Sequence, residues 1–299
     1  MRAQPDLPKQ AEIPGVIQAD ATLEVVAKGM RGLEGPTPSA DGGLYFTEIE
    51  ASRIHKLGSG DRIAVWRAGT GRANGLYSLP DGSLLAAEAK GRRIVSITPG
   101  GEVKVLADMY RGAPLRSPND LIPDRKGGIY FTDPAPRPGP NIAPKEPGNV
   151  YYIRAGGEVL LIDSEIHKPN GITLSHDGRT LYVDDTEGEF VYAFDVQPDG
   201  SCRNKRTFVR LLEPERGSLG MRCRGDGMAL DSEGRLYVGT GVGVQVIDPK
   251  GRHLGIIRVP SAVRNLAFAG RERRTLYMTA LDTLYRVRLV SRGPLGRAK

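Results

Sequence analysis

Six polar residues recur along the chain, each directly ahead of a short apolar segment. They are Glu34, Asn74, Asn119, Asn170, Asp226 and Asn265. Each of them carries a side-chain oxygen, and none is a histidine or a cysteine. Carboxylate and amide oxygens are the ligands that hard cations such as Ca²⁺, Mg²⁺ and Mn²⁺ prefer, and a catalytic Zn²⁺ stays open as an alternative. If the fold brings these residues together, the two carboxylates would neutralise one divalent ion.

The same residues open six copies of an internal repeat. Each copy continues with a short apolar strand, a tight turn such as Asp81-Gly82 or Asp177-Gly178, and a second strand of the Leu-Tyr-Val type. Successive copies begin 39 to 56 residues apart, a spacing that suits a propeller with loop insertions better than a rigid solenoid. Two further strands follow in the fourth and fifth copies. The repeat therefore predicts an all-β, six-bladed β-propeller with four antiparallel strands per blade.

The two ends of the chain are expected to complete the ring. The sixth copy has a third strand that ends at Leu289 and is followed only by a polar tail, residues 290–299. We predict that the alternating segment 22–27 supplies the missing strand of the last blade, with 1–21 as an N-terminal extension. Residues 1–299 would then form one domain. Two packed β-sandwich domains are the alternative, but they would not explain the same polar residue at the start of six copies.

The first strand of a propeller blade lines the central channel, so the six repeat-opening residues should converge near its axis. Asn and Asp also form turns by bonding their own backbone, and this structural role is assigned to Asn74 and Asn265. The longest connections fall on the same mouth as the six residues, and we expect them to form a substrate pocket with a lid. They are residues 107–118, 134–148 and 212–225.

Composition excludes several classes of protein. The chain has 42 basic and 35 acidic residues, a net charge of +7, but the basic residues are scattered and show no nucleic-acid-binding motif. No apolar run approaches the ~20 residues that a membrane helix needs. The N-terminal sequence lacks the features of a signal peptide, so we predict a cytoplasmic location. Cys202 and Cys223 are interpreted as free thiols, with a bridge left open for an exported protein. No feature of the sequence predicts an oligomeric state.

Five short motifs carry a resemblance to a known family. In this order and at these spacings the chain resembles the regucalcin (senescence marker protein) and gluconolactonase family of six-bladed propellers over nearly its whole length. The Ser-Pro-Asn-Asp and Phe-Thr-Asp-Pro elements are more similar to the bacterial gluconolactonase branch than to the animal proteins. The motifs are Glu34-Gly35-Pro36, Ser117-Pro118-Asn119-Asp120-Leu121, Tyr130-Phe131-Thr132-Asp133-Pro134, Lys168-Pro169-Asn170-Gly171-Ile172 and Asp226-Gly227-Met228-Ala229.

The resemblance implies a metal-dependent hydrolase that opens a sugar lactone or a related cyclic ester. It implies one divalent cation, Ca²⁺ first among the candidates, bound by Glu34, Asn170 and Asp226, with Asn119 near both the metal and the substrate. A metal of this kind polarises a carbonyl group, and a carboxylate beside it can accept a proton from the attacking water. Asp226 is the candidate general base, with a role as metal ligand only as the alternative.

Two departures from the family pattern limit what the resemblance implies. After Glu34-Gly35-Pro36, members usually carry an apolar and then an aromatic residue, where this chain has Thr37-Pro38, so the first inner strand is expected to be irregular. Animal members carry an arginine two residues before the position of Asn119, where this chain has Ser117, with Arg116 one place earlier. We therefore take Asn119, Ser117, Arg116, His167 and Arg222 as candidate substrate-binding residues. Two other functions stay open at this point: a non-catalytic propeller that binds a cation or a small molecule, and an organophosphate esterase on the same scaffold.

Overall fold

The computed structural model describes residues 7–136, 139 and 145–295. Six four-stranded antiparallel sheets make up the fold, and in five of them the strands are neighbours in the order in which they occur along the chain. The predicted six-bladed propeller is thus confirmed, including the number of strands in each blade. The one helix in the described ranges is a single 3-10 turn, Ser59–Asp61, and none of their helices is long and apolar enough to cross a membrane.

The strands are listed in chain order. The first strand of the chain is β1 (Leu23–Lys28). Blade one contains β2 (Leu33–Pro38), β3 (Leu44–Glu48), β4 (Arg53–Leu57) and β5 (Ile63–Ala68). Blade two contains β6 (Ala73–Ser78), β7 (Leu84–Glu88), β8 (Arg93–Ile97) and β9 (Val103–Ala107). A hairpin follows, formed by β10 (Met109–Tyr110) and β11 (Ala113–Pro114).

The second half of the ring follows the same plan. Blade three contains β12 (Leu121–Pro123), β13 (Ile129–Asp133), β14 (Asn149–Ile153) and β15 (Val159–Asp163). Blade four contains β16 (Pro169–Leu174), β17 (Thr180–Asp185), β18 (Phe190–Val196) and β19 (Cys202–Arg210). A second hairpin is formed by β20 (Glu215–Gly217) and β21 (Gly220–Arg222). Blade five contains β22 (Met228–Leu230), β23 (Leu236–Thr240), β24 (Gly243–Ile247) and β25 (His253–Ile257). Blade six contains β26 (Asn265–Ala269), β27 (Thr275–Ala280) and β28 (Thr283–Arg288).

Strand β1 completes blade six and closes the ring. It pairs antiparallel with β28, with Leu23 opposite Val287, as predicted, although it begins and ends one residue later than expected. The segment before β1 is also packed, since Ile13, Val16 and Ile17 are buried in the same apolar cluster as blades five and six. The predicted extension and tail also include residues 1–6 and 296–299, which lie outside the described residues.

The strands are most buried at the channel and become more exposed toward the outer edge of each blade. Every residue of the inner strands β2 and β16 is buried, whereas the outer strand β9 has three exposed residues of five. Strands that are covered on both faces read as continuous buried runs, and outer strands alternate because one face meets water. The inner strands are therefore the best-held part of each blade, and they are the strands that carry or directly follow the repeat-opening residues.

Glycine lets neighbouring inner strands approach closely. In four of the six copies the repeat-opening residue is followed by glycine, at Gly35, Gly75, Gly171 and Gly227. A Cβ atom at Gly171 would overlap the carbonyl oxygen of Asp226, and one at Gly35 would overlap the carbonyl oxygen of Asn74. Backbone atoms of adjacent blades thus occupy the space of a side chain, which holds the repeat-opening residues at the shortest separation that the chain permits.

Breaks in strand register turn the repeat-opening side chains out of the regular ladder. The pairing of the first two strands shifts between Glu34 and Thr37 in blade one, between Ala73 and Leu76 in blade two, and around Asn170 in blade four. A bulge leaves one residue unpaired and re-aims its side chain. The first inner strand is irregular, as predicted, but the break lies at Gly35-Pro36, and Thr37 and Pro38 themselves pair with Tyr45 and Leu44.

Two aspartates at the ends of second strands hold the backbone that leads into the mouth of the channel. The Asp133 carboxylate accepts hydrogen bonds from the backbone N–H groups of Arg116, at 2.9 Å, and Ser117, at 2.6 Å. The Asp185 carboxylate accepts from the backbone N–H groups of His167, at 3.3 Å, and Lys168, at 3.0 Å. These carboxylate clamps sit two or three residues ahead of Asn119 and Asn170, so they position both asparagines.

Replacing Gly171 should disrupt the contact between blades four and five. A Gly171→Ala variant is expected to lose about 3 kcal/mol of unfolding free energy, because its Cβ would overlap backbone that cannot rotate away. Thermal melting should show this as a Tm that is lower by roughly 5–10 °C. Gly156→Ala is the matched control, since nothing lies within 4 Å of the added Cβ. Equal melting temperatures for the two variants would contradict the close-approach explanation.

Asp133 should be required for a stable mouth. Asp133→Asn keeps the side-chain shape but weakens the charge-assisted bonds from two backbone N–H groups, and we expect a loss of about 1–3 kcal/mol in urea unfolding. The control is Asp177→Asn, because Asp177 also accepts a backbone bond, from Arg179, but is exposed in a turn at the opposite mouth. A loss of the same size in both variants would argue against a special role for the clamp.

Candidate functional site

The repeat-opening residues converge at one mouth of the channel. Glu34 and Asn170 are 2% and 3% exposed, whereas Asn119 and Asp226 are half-buried. The buried pair therefore forms the floor of the site and the half-buried pair forms its opening. Hydrogen bonds between neighbouring blades fix the spacing, since the backbone N–H of Gly75 donates to the carbonyl oxygen of Asn119 at 2.7 Å.

Four buried oxygens of the ring accept no hydrogen bond. They are Oδ1 of Asn74, Asn119, Asn170 and Asp226, and none has a partner among the described residues. Leaving a buried acceptor unsatisfied costs about 1–3 kcal/mol, so four of them around one opening require an explanation. All four are acceptors, and a cation satisfies acceptors where a donor is lacking. The donor set, two carboxylates and several amide oxygens, fits a hard divalent ion.

The amide of Asn170 is held in one orientation. Its Nδ2 donates to Oγ1 of Thr186 at 2.9 Å, and that hydroxyl in turn donates to the carbonyl oxygen of Gly225 at 2.8 Å. Because the hydroxyl proton is committed to Gly225, the Thr186 oxygen can only accept from Asn170, which leaves the amide oxygen of Asn170 facing the ring. The same hydrogen-bond chain ties blade four to the residue preceding Asp226.

The two ring carboxylates lie close enough to influence each other. Burial raises the pKa of Asp226 well above its ordinary value, and the neighbouring Glu34 carboxylate raises it further. Burial also raises the pKa of Glu34, while Arg264 acts in the opposite direction on both groups. Two neighbouring carboxylates repel each other in a poorly hydrated site, and a cation between them would relieve that repulsion.

This donor set differs from a metal site built of acidic, histidine and cysteine side chains. The parts of the chain that the structure describes contain no group of three or more such residues able to hold a metal ion. The ring supplies two, Glu34 and Asp226, and the remaining oxygens come from asparagines. A site of this composition is recognised by its amide oxygens that lack hydrogen-bond partners, not by a cluster of acidic, histidine and cysteine side chains.

Asn74 and Asn265, both assigned a structural role from the sequence, differ in the structure. Oδ1 of Asn265 accepts from the backbone N–H of Leu266 at 2.9 Å, and its Nδ2 lies 3.5 Å from Oδ2 of Asp120. The contacts of Asn265 are thus those of a structural residue. Oδ1 of Asn74 has no such partner within the described chain, and it therefore lacks a hydrogen-bond donor in the same way as Oδ1 of Asn119 and Asn170.

The candidate substrate-binding residues occupy different positions. Ser117 and His167 are half-buried just ahead of the ring residues and are held through their backbone by the carboxylate clamps. Arg116 is half-buried and donates to the carbonyl oxygen of Pro147 at 2.8 Å. Arg222 is 4% exposed, and its guanidinium binds Glu187 at 2.7 Å and Glu215 at 3.0 Å. These ion pairs give Arg222 a structural role, and our proposal for the site leaves it out.

Sequence reasoning missed three charged residues of the mouth. Oδ1 of Asp184 accepts from the backbone N–H of Gly171 at 3.0 Å, while its Oδ2 is buried without a partner in the described residues. Burial, and next the Asp226 carboxylate, raise the pKa of Asp184 well above its usual range. Asp120 lies beside Asn265, and Arg264 lies beside Glu34 and Asp226. The signal for Asp184 was the Asp-Asp pair that ends β17, whereas Arg264 shows no pattern in the repeat.

The expected long connections are partly ordered as hairpins. Strands β10 and β11 lie within the connection 107–118, and β20 and β21 lie within 212–225. The third connection, 134–148, includes residues 137–138 and 140–144, which are outside the described residues, so the lid stays a prediction. Cys202 and Cys223 are both free, in agreement with the interpretation from sequence.

The opposite mouth contains a cavity of about 1000 Å³. Two of its polar side chains already have partners: Asp124 accepts from the Tyr152 hydroxyl at 2.7 Å, and Nε2 of His176 lies 2.6 Å from the carbonyl oxygen of Asp231. Size therefore favours this cavity, but unsatisfied oxygens and paired carboxylates favour the ring. We place the candidate site at the ring because chemistry needs reactive groups more than it needs volume.

Several known proteins are similar to this chain in sequence and in architecture. The chain is 26% identical over 299 aligned positions to the gluconolactonase of Zymomonas mobilis, covering 92% of this chain and 83% of that protein. It is 29% identical to a pentonolactonase of Haloferax volcanii, covering 85% and 83%. A solved gluconolactonase structure from Xanthomonas campestris superimposes with a TM-score of 0.81 at 27% identity, covering 95% and 94%.

A family description agrees with these relatives. The sequence pattern described as "SMP-30/Gluconolactonase/LRE-like region" matches residues 33–282, which run from the first inner strand into the last blade. The match includes all six repeat-opening residues. The chain therefore belongs to the SMP-30/gluconolactonase/LRE-like family.

Proposed function

We propose that this protein is a metal-dependent hydrolase that opens a lactone at the ring mouth of the channel. The observation that carries the proposal is the set of four buried, unsatisfied oxygens that surround the opening beside two carboxylates. Membership of the family and similarity to a gluconolactonase and a pentonolactonase support lactone hydrolysis as the reaction.

Glu34, Asn170 and Asp226 would hold the cation, with Asn119 at its edge. Their oxygens favour Ca²⁺, which accepts six to eight oxygen ligands in flexible geometry, over ions that demand nitrogen or sulfur. When bound, a divalent cation polarises the lactone carbonyl and stabilises negative charge on its oxygen. Asn74, with its own unsatisfied oxygen, is a further candidate for this shell.

Asp226 would move the proton. The residue as a whole is half-buried at the opening, whereas its Oδ1 is buried and has no partner within the described chain, so a bound water would satisfy that oxygen. The carboxylate would accept the proton of the water that attacks the lactone carbonyl carbon. Asn119, half-buried at the opening two blades away from Asp226, would orient the substrate through its amide. Ser117, Arg116 and His167 remain candidate substrate contacts at the rim.

The other functions considered are outcomes of the tests below. A non-catalytic binding propeller would bind metal without turnover, and an organophosphate esterase would prefer phosphotriesters to lactones. The proposed reaction depends neither on the oligomeric state nor on the cytoplasmic location, which stays a prediction from the sequence.

Metal binding should stabilise the fold. After treatment with a chelator, restoring Ca²⁺ at about 100 times its Kd should add about 2.7 kcal/mol to the unfolding free energy, since the ion binds only the folded ring. Thermal melting should show an increase in Tm of roughly 5–10 °C. Glu34→Gln and Asp226→Asn should each lose most of this increase because each removes one of two carboxylate charges. Asp177→Asn, at the opposite mouth, should retain it, and an unchanged Tm in the wild type at millimolar Ca²⁺, Mg²⁺, Mn²⁺ and Zn²⁺ would contradict a metal site.

The role of Asp226 is tested by activity at saturating metal. Asp226→Asn should lower kcat for lactone opening by about 100-fold or more, the usual contribution of a general base. Acid release from a panel of sugar and aromatic lactones provides the measurement, with a phosphotriester included for comparison. If Asp226 were a ligand only, raising the metal concentration would restore the variant to the wild-type kcat.

Two results would overturn the lactonase proposal itself. One is metal-loaded wild-type protein that opens no lactone in the panel, and the other is a higher kcat/KM for the phosphotriester than for every lactone. Glu34→Gln serves as a companion variant, since its loss of activity should be recovered by higher metal concentration, unlike that of Asp226→Asn.

A further inference from the structure

One guanidinium at the ring mouth stands apart from the other arginines. Arg264 directly precedes the repeat-opening Asn265 and is half-buried. Its carbonyl oxygen accepts from the backbone N–H of Gly227 at 2.6 Å, and its own N–H donates to the carbonyl oxygen of Thr279 at 2.8 Å. These bonds fix its backbone between blades five and six, next to the residue that follows Asp226.

The guanidinium of Arg264 forms no hydrogen bond and no ion pair with any described residue. Other arginines at this mouth are committed: Arg222 binds Glu187 and Glu215, Arg224 binds Glu215 at 2.5 Å, and Arg116 donates to backbone. A planar guanidinium has five donors suited to a carboxylate or a phosphate. A half-buried one without a partner is available to a ligand.

The positive charge of Arg264 acts on the two carboxylates of the site. Arg264 lowers the pKa of both Glu34 and Asp226 against the effect of burial, so its charge lies near both carboxylates without pairing with either. Lys168, on the other side of Asp226, acts on that carboxylate in the same direction. Asp120 and Asp184 add negative charge at the same mouth, so the positive charge is local to the guanidinium of Arg264 once a divalent cation takes up the charges of Glu34 and Asp226. An unpaired guanidinium at this position attracts and orients the anionic group of a ligand.

We propose that Arg264 binds an anionic group of the substrate outside the lactone ring, and that the preferred substrates are lactones that carry a carboxylate or a phosphate in addition to that ring. This inference rests on the proposed lactonase function and deepens it. In this arrangement the oxygens of the ring would hold the cation, which would polarise the reacting ester, while Arg264 would pair with the remote anion of the same molecule. Neutral lactones would use the first contact alone.

The test compares two lactones with the same five-membered ring. Glucaro-1,4-lactone carries a free carboxylate, and glucono-1,4-lactone does not. We expect the wild type to favour the charged lactone in kcat/KM by about tenfold or more, the value of a hydrogen-bonded charge pair. Arg264→Gln should bring the ratio close to one, and Arg264→Lys should restore part of it. Phosphorylated and unphosphorylated glucono-1,5-lactone form a second pair, which distinguishes phosphate from carboxylate as the preferred anion.

A matched control separates a local contact from a general effect of charge. Arg125→Gln removes one positive charge at the opposite mouth, where Arg125 donates to the carbonyl oxygen of His176 at 2.8 Å. This variant should keep the wild-type ratio. Calorimetric binding of the open-chain glucarate and gluconate gives a readout that needs no turnover, and Arg264→Gln should weaken glucarate binding about tenfold relative to gluconate.

The outcomes keep the two proposals apart. A lactone ratio that is the same in wild type and Arg264→Gln, with neutral lactones still opened, would overturn the role of Arg264 and leave the lactonase proposal intact. No opening of any lactone, together with glucarate binding that depends on Arg264, would support an anion-binding mouth and overturn the lactonase proposal. A matching loss of the ratio in Arg125→Gln would also overturn the inference.

Discussion

The structure depends most on the backbone contact between neighbouring inner strands. At Gly171 the carbonyl oxygen of Asp226 fills the space where any other residue would carry a Cβ atom, and Gly35 meets Asn74 in the same way. With backbone against backbone, the ring is narrow: Nδ2 of Asn265 in blade six lies 3.5 Å from Oδ2 of Asp120, which leads into blade three. Side chains beside these contacts are directed to the channel mouth, because the neighbouring blade already occupies the alternative space.

Narrowness explains both the cost and the use of the site. Glu34 and Asn170 are almost fully buried, and unsatisfied acceptors and paired carboxylates oppose folding. Packing between blades offsets this cost and holds the oxygens in place before any ligand binds. The clamps from Asp133 and Asp185 extend the same rigidity to the segments that lead into the mouth. A preorganised shell of this kind loses little conformational freedom on binding a cation.

The repeat made most of the fold predictable, because each blade needs an inner strand, a tight turn and a second strand in the same order. The closing strand followed from a count of strands in the last blade, and the convergence of Glu34 and Asp226 followed from propeller symmetry. Arg264 and the burial of Arg222 could not be predicted in this way, since they depend on which partners fold back over the mouth. Asp133 is an acidic residue at the end of a second strand, and three other blades have an acidic residue at the same place. The sequence shows this pattern, but its role in holding the backbone is seen only in the structure.

Closing the ring with its first strand has a consequence for how the protein is made. Glu24 on β1 and Arg286 on β28 form an ion pair at 2.7 Å although they are 262 positions apart in the chain. Synthesis on the ribosome proceeds from β1 toward β28, so the earliest strand waits with an unpaired edge while the blades form in sequence. Such long-range pairing is slow and leaves edges exposed to aggregation. Until β28 emerges, β1 has no strand to pair with, and the nascent propeller is an open arc.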